Sequence, residues 1–180
     1  GTALREPPEP LPEPGCLDTP KGLDAGGSAD DLDLLPEIRW DKKLERYWQP
    51  GEDGAQERLH RFLDEAVTEY KKGRDRPDKD YTSGLSPHLH HGEIGPRQIW
   101  HLTGDRSEPF LREIYWREFC YNLLHHFPDF PEKPMQEKFR HFPWEHDQKS
   151  LNAWQKGRTG YPIVDAGMRQ LWETGWMHNR

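Results

Sequence analysis

The chain has 180 residues, enough for one packed domain. Only 32% of them are hydrophobic, eight are Trp, and the formal net charge is −7. No stretch is apolar and long enough to span a membrane and no signal peptide opens the sequence, so a soluble, intracellular (cytoplasmic) protein is expected. The acidity is uneven: residues 1–54 hold 13 Asp and Glu against 6 Lys and Arg, while the remaining 126 hold 19 of each and all ten His. A neutral body can still meet phosphates through a local basic patch, so the charge neither excludes nucleic acid nor argues for it. Cys16 and Cys120 stand far apart and read as free thiols.

Residues 1–36 read as a linker. Seven of the seventeen prolines lie there, five of them in Pro7-Pro8-Glu9-Pro10-Leu11-Pro12-Glu13-Pro14, followed by Gly26-Gly27-Ser28 and acids ending at Asp33. Aromatic residues return at Trp40 and Trp48, where the folded part is expected to begin. Ala55, Leu59, Phe62, Leu63, Ala66, Val67 and Tyr70 then repeat every 3.6 residues, which predicts one amphipathic helix ending at Lys71-Lys72-Gly73. The charged segment Arg74 to Tyr81 connects it to Thr82-Ser83-Gly84-Leu85-Ser86-Pro87. There Ser86 and Pro87 form an N-cap and first-turn pair. A helix start rich in hydroxyls can hold an anion; the same residues can equally just cap the helix and satisfy a turn. Gly95-Pro96 opens the next helix, along Ile99 to Leu102.

A long helix follows from about Ser107 to Phe127, with Ser107 as its cap and Phe110, Leu111, Ile114, Phe119, Leu123 and Leu124 as an apolar face. Such a helix should be mostly buried. Glu113, Trp116 and Arg117 stand at i, i+3 and i+4 on it, as neighbours. The charged pair is either a structural bridge or the wall of a polar pocket. His88, His90, His91, His125 and His126 have no acidic or cysteine ligands at matching spacing, so no metal site is assigned and they read as surface or pocket-lining groups. After a Pro- and Phe-rich connection come Trp144, Trp154, the turn Gly157 to Tyr161, and a helix from Pro162 with Val164, Met168, Leu171 and Trp172 as its stripe, stopped by Gly175. No strand pattern and no repeat is visible, which predicts an all-α fold.

In order, T-S-G-L-S-P, G-P-R-Q, E-x-x-W-R-E-F, A-W-Q-K-G-R-T-G-Y-P-I-V-D-A-G-M-R-Q-L and G-W-M-H-N-R resemble the FAD-binding helical domain of the photolyase and cryptochrome family. The resemblance runs from about Leu35 to Arg180 and is nearest to bacterial class I photolyases that repair cyclobutane pyrimidine dimers. It implies an all-α domain over 37–180, truncated on its C-terminal side, that binds FAD, active in the reduced form, and UV-damaged DNA. It also implies a folate or deazaflavin antenna in an amino-terminal domain outside these residues.

By the same resemblance, Tyr70, Thr82, Ser83, Gly84, Leu85 and Ser86 hold FAD, and Phe110 touches the flavin where relatives commonly carry Trp. Glu113 and Trp116 receive the damaged bases, and Asn179 is placed with them in the catalytic group. Arg74, Arg117, Asn179 and Arg180 contact DNA, and Trp144 is the outermost tryptophan of an electron chain. The ending Met177-His178-Asn179-Arg180 and Glu113 favour dimer repair; a cryptochrome-like photoreceptor and a flavin-less helical interaction module are the alternatives. The chain by itself is expected to be monomeric and inactive, and not to retain flavin tightly, because the isoalloxazine would be open on one side.

Overall fold

The structure, a computed structural model, describes residues 5–16 and 26–180, and all secondary structure among them is helical. Part of the linker expectation, over 1–4 and 17–25, lies outside the described residues. A 3-10 segment, Trp40–Arg46, precedes the first α-helix, α1, at Glu52–Glu65. The single helix expected through Tyr70 is broken: Ala66 leaves helical geometry at φ −132°, Val67–Glu69 form a 3-10 turn, and α2 is the short Tyr70–Gly73. The break falls at Val67-Thr68, two β-branched residues that crowd a helix. The tighter turn still delivers Ala66, Val67 and Tyr70 to the interior, so the apolar period outlives the helix that it was read from.

Next come α3, Ser86–His91, and α4, Pro96–Thr103. At the start of α4 the Gln98 side chain reaches back to accept the Gly95 N–H at 2.7 Å. The long helix α5 spans Glu108–His126, with Ser107 at its N-cap but no side-chain capping bond. Asp147 caps α6, Gln148–Gln155, by accepting the Lys149 N–H at 2.9 Å. The last helix, α7, is Pro162–Thr174, and Gly175 closes it in the left-handed region at φ 73° with its N–H on the Leu171 carbonyl.

One apolar core holds the first half. Leu59, Val67, Leu85 and Ile99 are essentially sealed, with Phe62, Tyr70, Ile94, Phe110 and Ile114 around them. Each such Leu or Ile contributes roughly 1.5–3 kcal/mol by leaving water. Phe62, Tyr70 and Phe110 form a ring cluster with centroids 4.7–5.8 Å apart.

The core stops at Ile114. Contrary to the expectation of a mostly buried helix, only Phe110, Leu111 and Ile114 of α5 are buried, while Phe119, Cys120 and Leu124 are exposed. The reason is geometric: α5 runs 19 residues, about 28 Å, and the elements that pack on it cover only its first turns. Similarly, His88 is not a surface group but is buried, with Nδ1 2.6 Å from Glu93 Oε2. The carboxyl of Glu93 is held below its usual range, first by a hydrogen bond from the Gly51 backbone and then by His88.

Trp48 ties the final helix to the rest. Its indole N–H donates to the Thr174 carbonyl at 2.6 Å, and Tyr47 donates to Glu173 at 3.2 Å. Gly175 packs in the same place: a side chain there would meet Leu44.

Candidate functional site

Two adjoining cavities open between the 74–84 loop and α7. They share Pro77, Asp78, Gln170 and His178. The first, of about 380 Å³, is lined by Thr82 and Gly84 together with Arg58, Lys79, Trp176 and His178. Gly84 has φ 61°, a conformation that favours glycine, and a Cβ on it would stand 2.7 Å from Arg58 Nη1 and displace that guanidinium. The Arg58 guanidinium lies 4.4 Å over the Trp48 ring and donates to the Tyr47 carbonyl at 3.1 Å. Burial, and next the Arg61 charge, hold its pKa below the ordinary arginine value. An anion would relieve both.

The helix start contributes less than the sequence suggests. Leu85, not Ser86, is the N-cap of α3; Ser86 is exposed and no side chain caps the helix. Ser83 Oγ accepts the Leu85 N–H at 3.4 Å, a turn-like contact within the segment. Attraction for an anion therefore rests on Arg58, Arg61 and Lys79, opposed by Asp78 and Asp80 on the same lining, while the half-buried Thr82 and Gly84 shape the cavity wall. Arg58 gives no signal in the sequence, because it lies on the polar side of α1 beside Glu57, His60 and Arg61 and reads as a solvated residue.

His178 is the other residue that pattern reading missed, although it lies inside a quoted motif. It is only 8% exposed and lines both cavities. Its Nδ1 accepts the Arg180 N–H at 3.1 Å, which leaves the ring proton on Nε2, and that atom is buried without a partner. A buried donor of this kind costs roughly 1–3 kcal/mol until an acceptor arrives. The orphaned donor, the confined guanidinium and the glycine cradle together fit a phosphate-bearing dinucleotide such as FAD.

The second cavity, of about 710 Å³, is mainly apolar, lined by Trp154 of α6 and by Ile163, Val164 and Met168 of α7, together with Asn179 and Arg180. Its wall is set by a closed turn. Asp165 is buried and accepts from the Thr159 hydroxyl and the Thr159 and Gly160 backbone N–H groups at 2.6–3.0 Å. The Thr159 hydroxyl first, then the backbone donors, keep its carboxyl below the usual range.

Glu113 and Arg117 do not bridge to each other. Glu113 pairs instead with Arg74 across 2.5 Å, and that bond is the main cause of a raised Arg74 pKa. Beside it Arg180 pairs with Asp75 at 2.8 Å. Glu113, Arg74, Arg180 and Asn179 are thus gathered around the 74–80 loop. Trp116, one turn along from Glu113, is 54% exposed and touches only Phe119 among the aromatic rings. Arg117 turns to the other side of α5, donating to the Leu89 carbonyl at 3.2 Å, Tyr121 at 3.1 Å and Glu118 at 3.0 Å. Tyr70 and Phe110 belong to the core, Phe110 with only 3% of its surface exposed, and burial raises the Tyr70 hydroxyl pKa. Trp144 lies outside both cavities, 69% exposed and packed on Phe142. Among the described residues no three His, Cys, Asp or Glu groups converge on a possible metal position, and no helix is long and apolar enough to cross a membrane.

Comparison with known proteins agrees with this geometry. The family described as the FAD binding domain of DNA photolyase matches residues 110–180. A deoxyribodipyrimidine photo-lyase of Agrobacterium fabrum is 47% identical over 184 residues, covering 97% of this chain and 38% of the relative. Cryptochrome-1 of Arabidopsis thaliana is 40% identical over 152 residues, covering 76% of this chain and 22% of the relative. The crystal structure of a bacterial class III photolyase from Agrobacterium tumefaciens superposes with a TM-score of 0.85 at 47% identity, over 91% of this chain and 36% of that one. Its class differs from the class I expected from the motifs. The chain spans under two-fifths of the length of these relatives. Motif order, an all-helical fold and this similarity converge: the chain belongs to the DNA photolyase and cryptochrome family, as part of its FAD-binding helical domain.

Proposed function

We propose that residues 37–180 serve in a deoxyribodipyrimidine photolyase, contributing part of the FAD site and the surface that receives a cyclobutane pyrimidine dimer flipped out of DNA, with 1–36 as the linker into them. The observation that carries this is the gathering of Glu113, Arg74, Asn179 and Arg180 beside an exposed Trp116, in a chain 47% identical to a protein of that name. A dimer pairs and stacks poorly, so extruding it costs less than extruding normal bases. Trp116 offers a flat apolar face for the extruded bases. The Glu113 carboxylate accepts from Arg74 and, once Arg74 moves to a phosphate, is free to bond a pyrimidine edge.

Arg58, Lys79, Thr82 and the His178 Nε2–H would hold the FAD phosphates and polar edges. Bound FAD supplies, in its reduced and light-excited form, the electron that opens the cyclobutane ring. The residues of this chain bind the DNA backbone through Arg74 and Arg180, so binding weakens as salt rises.

The test is a chimera in which this chain replaces the matching stretch of the Agrobacterium fabrum enzyme. Blue light should restore dimer repair, and Glu113→Ala should lower repair yield more than dark binding of damaged DNA. Equal losses in both would remove Glu113 from the repair step. The purified 180-residue chain, mixed with FAD, should not give a stoichiometric yellow complex, since both cavities are open to solvent. The 40% identity to a plant cryptochrome supports a second reading, a blue-light photoreceptor, which a flavin-loaded chimera without any repair would favour.

A further inference from the structure

The segment Arg5–Pro10 does not trail into solvent. It crosses α4 and α5, and its backbone is read at four points. The Tyr115 hydroxyl donates to the Arg5 carbonyl at 2.6 Å and accepts the Arg5 N–H at 3.2 Å. The His101 Nε2–H is shared between the Pro7 and Pro8 carbonyls at 3.1 and 3.2 Å. None of these bonds needs an N–H from proline, which has none to offer. Pro7 and Pro10 are half-buried while Glu6, Pro8 and Glu9 are exposed, a spacing of three that matches a polyproline II helix.

The seat is aromatic. The Trp100 and Tyr115 rings stand edge to face at 5.4 Å, and with Pro96, Arg97 and Arg117 they line a cavity of about 510 Å³ against Pro7 and Pro8. Arg117 is held by Glu118, which lines the same cavity, so Arg97 is the cation left to face a segment that carries Glu6 and Glu9. Glu6 itself lies 3.7 Å from His101 Nδ1. Aromatic walls, a hydroxyl and an imidazole aimed at carbonyls, and a proline-filled ligand are the elements of polyproline recognition.

We propose that the α4–α5 groove is a binding site for an acidic proline-rich segment, and that its occupant is the chain's own Arg5–Pro10, which forms a strap over the face of α5 opposite Glu113 and Trp116. Tethering gives the strap an effective concentration on the order of millimolar, so modest intrinsic affinity is enough to keep it seated. The groove plays no part in the flavin and lesion sites, so it can fail or stand independently of the function proposed above.

Trypsin cleavage after Arg5 tests this, because the protease must take up the Arg5 backbone that Tyr115 holds. In the full chain the Arg5–Glu6 bond should be cut at least fivefold more slowly than in a synthetic peptide of residues 1–13. Tyr115→Phe and His101→Ala should each bring the rate most of the way to that of the peptide, with unchanged helical circular dichroism. Cleavage of the full chain at the peptide's rate would overturn the proposal, as would protection that survives both substitutions.

Discussion

Residues 52–114 and 115–180 are held together by different forces. In the first stretch helices share an interior of Leu, Ile, Val and aromatic side chains; in the second no hydrophobic residue is fully buried, and the buried positions are Gly157, Asp165 and His178. There the order comes from closed polar turns and from Trp48 and Tyr47 reaching across to the end of α7. Trp116, Trp144, Trp154 and Trp172 meanwhile stay on the outside. A large apolar ring left in water adds little to stability and is free to bury against something else. The comparison therefore separates a scaffold from the surfaces that it presents.

The sharpest way to break that division is substitution on each side of it. Leu59→Ala, in the sealed core, should cost about 2–5 kcal/mol in urea unfolding; a loss below 1 kcal/mol would mean that the core is not where stability resides. Next in size is ligand binding. In the chimera, Arg58→Ala and His178→Phe should each weaken FAD binding about tenfold, the equivalent of roughly 1.4 kcal/mol, and His178→Phe, which removes the unpaired Nε2–H, should not lower the unfolding midpoint of the flavin-free protein. Unaltered flavin affinity in both would assign these side chains to the scaffold.

Asp165 tests the polar turns. Its folded pKa is lowered, so the stability that it provides is complete above its ordinary value of 3.8 and is lost as pH falls through the lower folded value. Asp165→Asn should destabilise α7 at neutral pH and flatten that acid loss; an identical acid profile in wild type and variant would place the pH dependence elsewhere. The smallest effect should come from Trp172→Ala. Its ring carries Lys43 4.1 Å from the centroid but is otherwise exposed, so about 0.5–1 kcal/mol is the ceiling.

What could be read in advance follows the same boundary. The apolar positions of the core were legible because burial imposes a 3.6-residue period, and the period survived even where Ala66 broke the helix. The stop at Gly175 and the start at Pro162 were legible because φ and a missing N–H decide them locally. The partners of Glu113 were not. On one helix Arg117 is its neighbour, whereas the fold supplies Arg74 from a loop 39 residues away. Arg58 and His178 were hidden for a related reason: their roles depend on a cavity formed by four separate segments.

Under the function proposed above, the paired geometry at the 74–75 loop would bear on how the protein samples DNA. In the free protein Arg74 and Arg180 are already neutralised, by Glu113 and Asp75. A phosphate that captured either cation would first have to displace a tethered carboxylate that stays nearby and repels it, so these two arginines would add little to the binding of intact duplex. A base that left the helix to engage the freed Glu113 would compensate that exchange. In that role the loop would act as a self-loaded ion exchanger, trading general stickiness for dwell time at distorted sites.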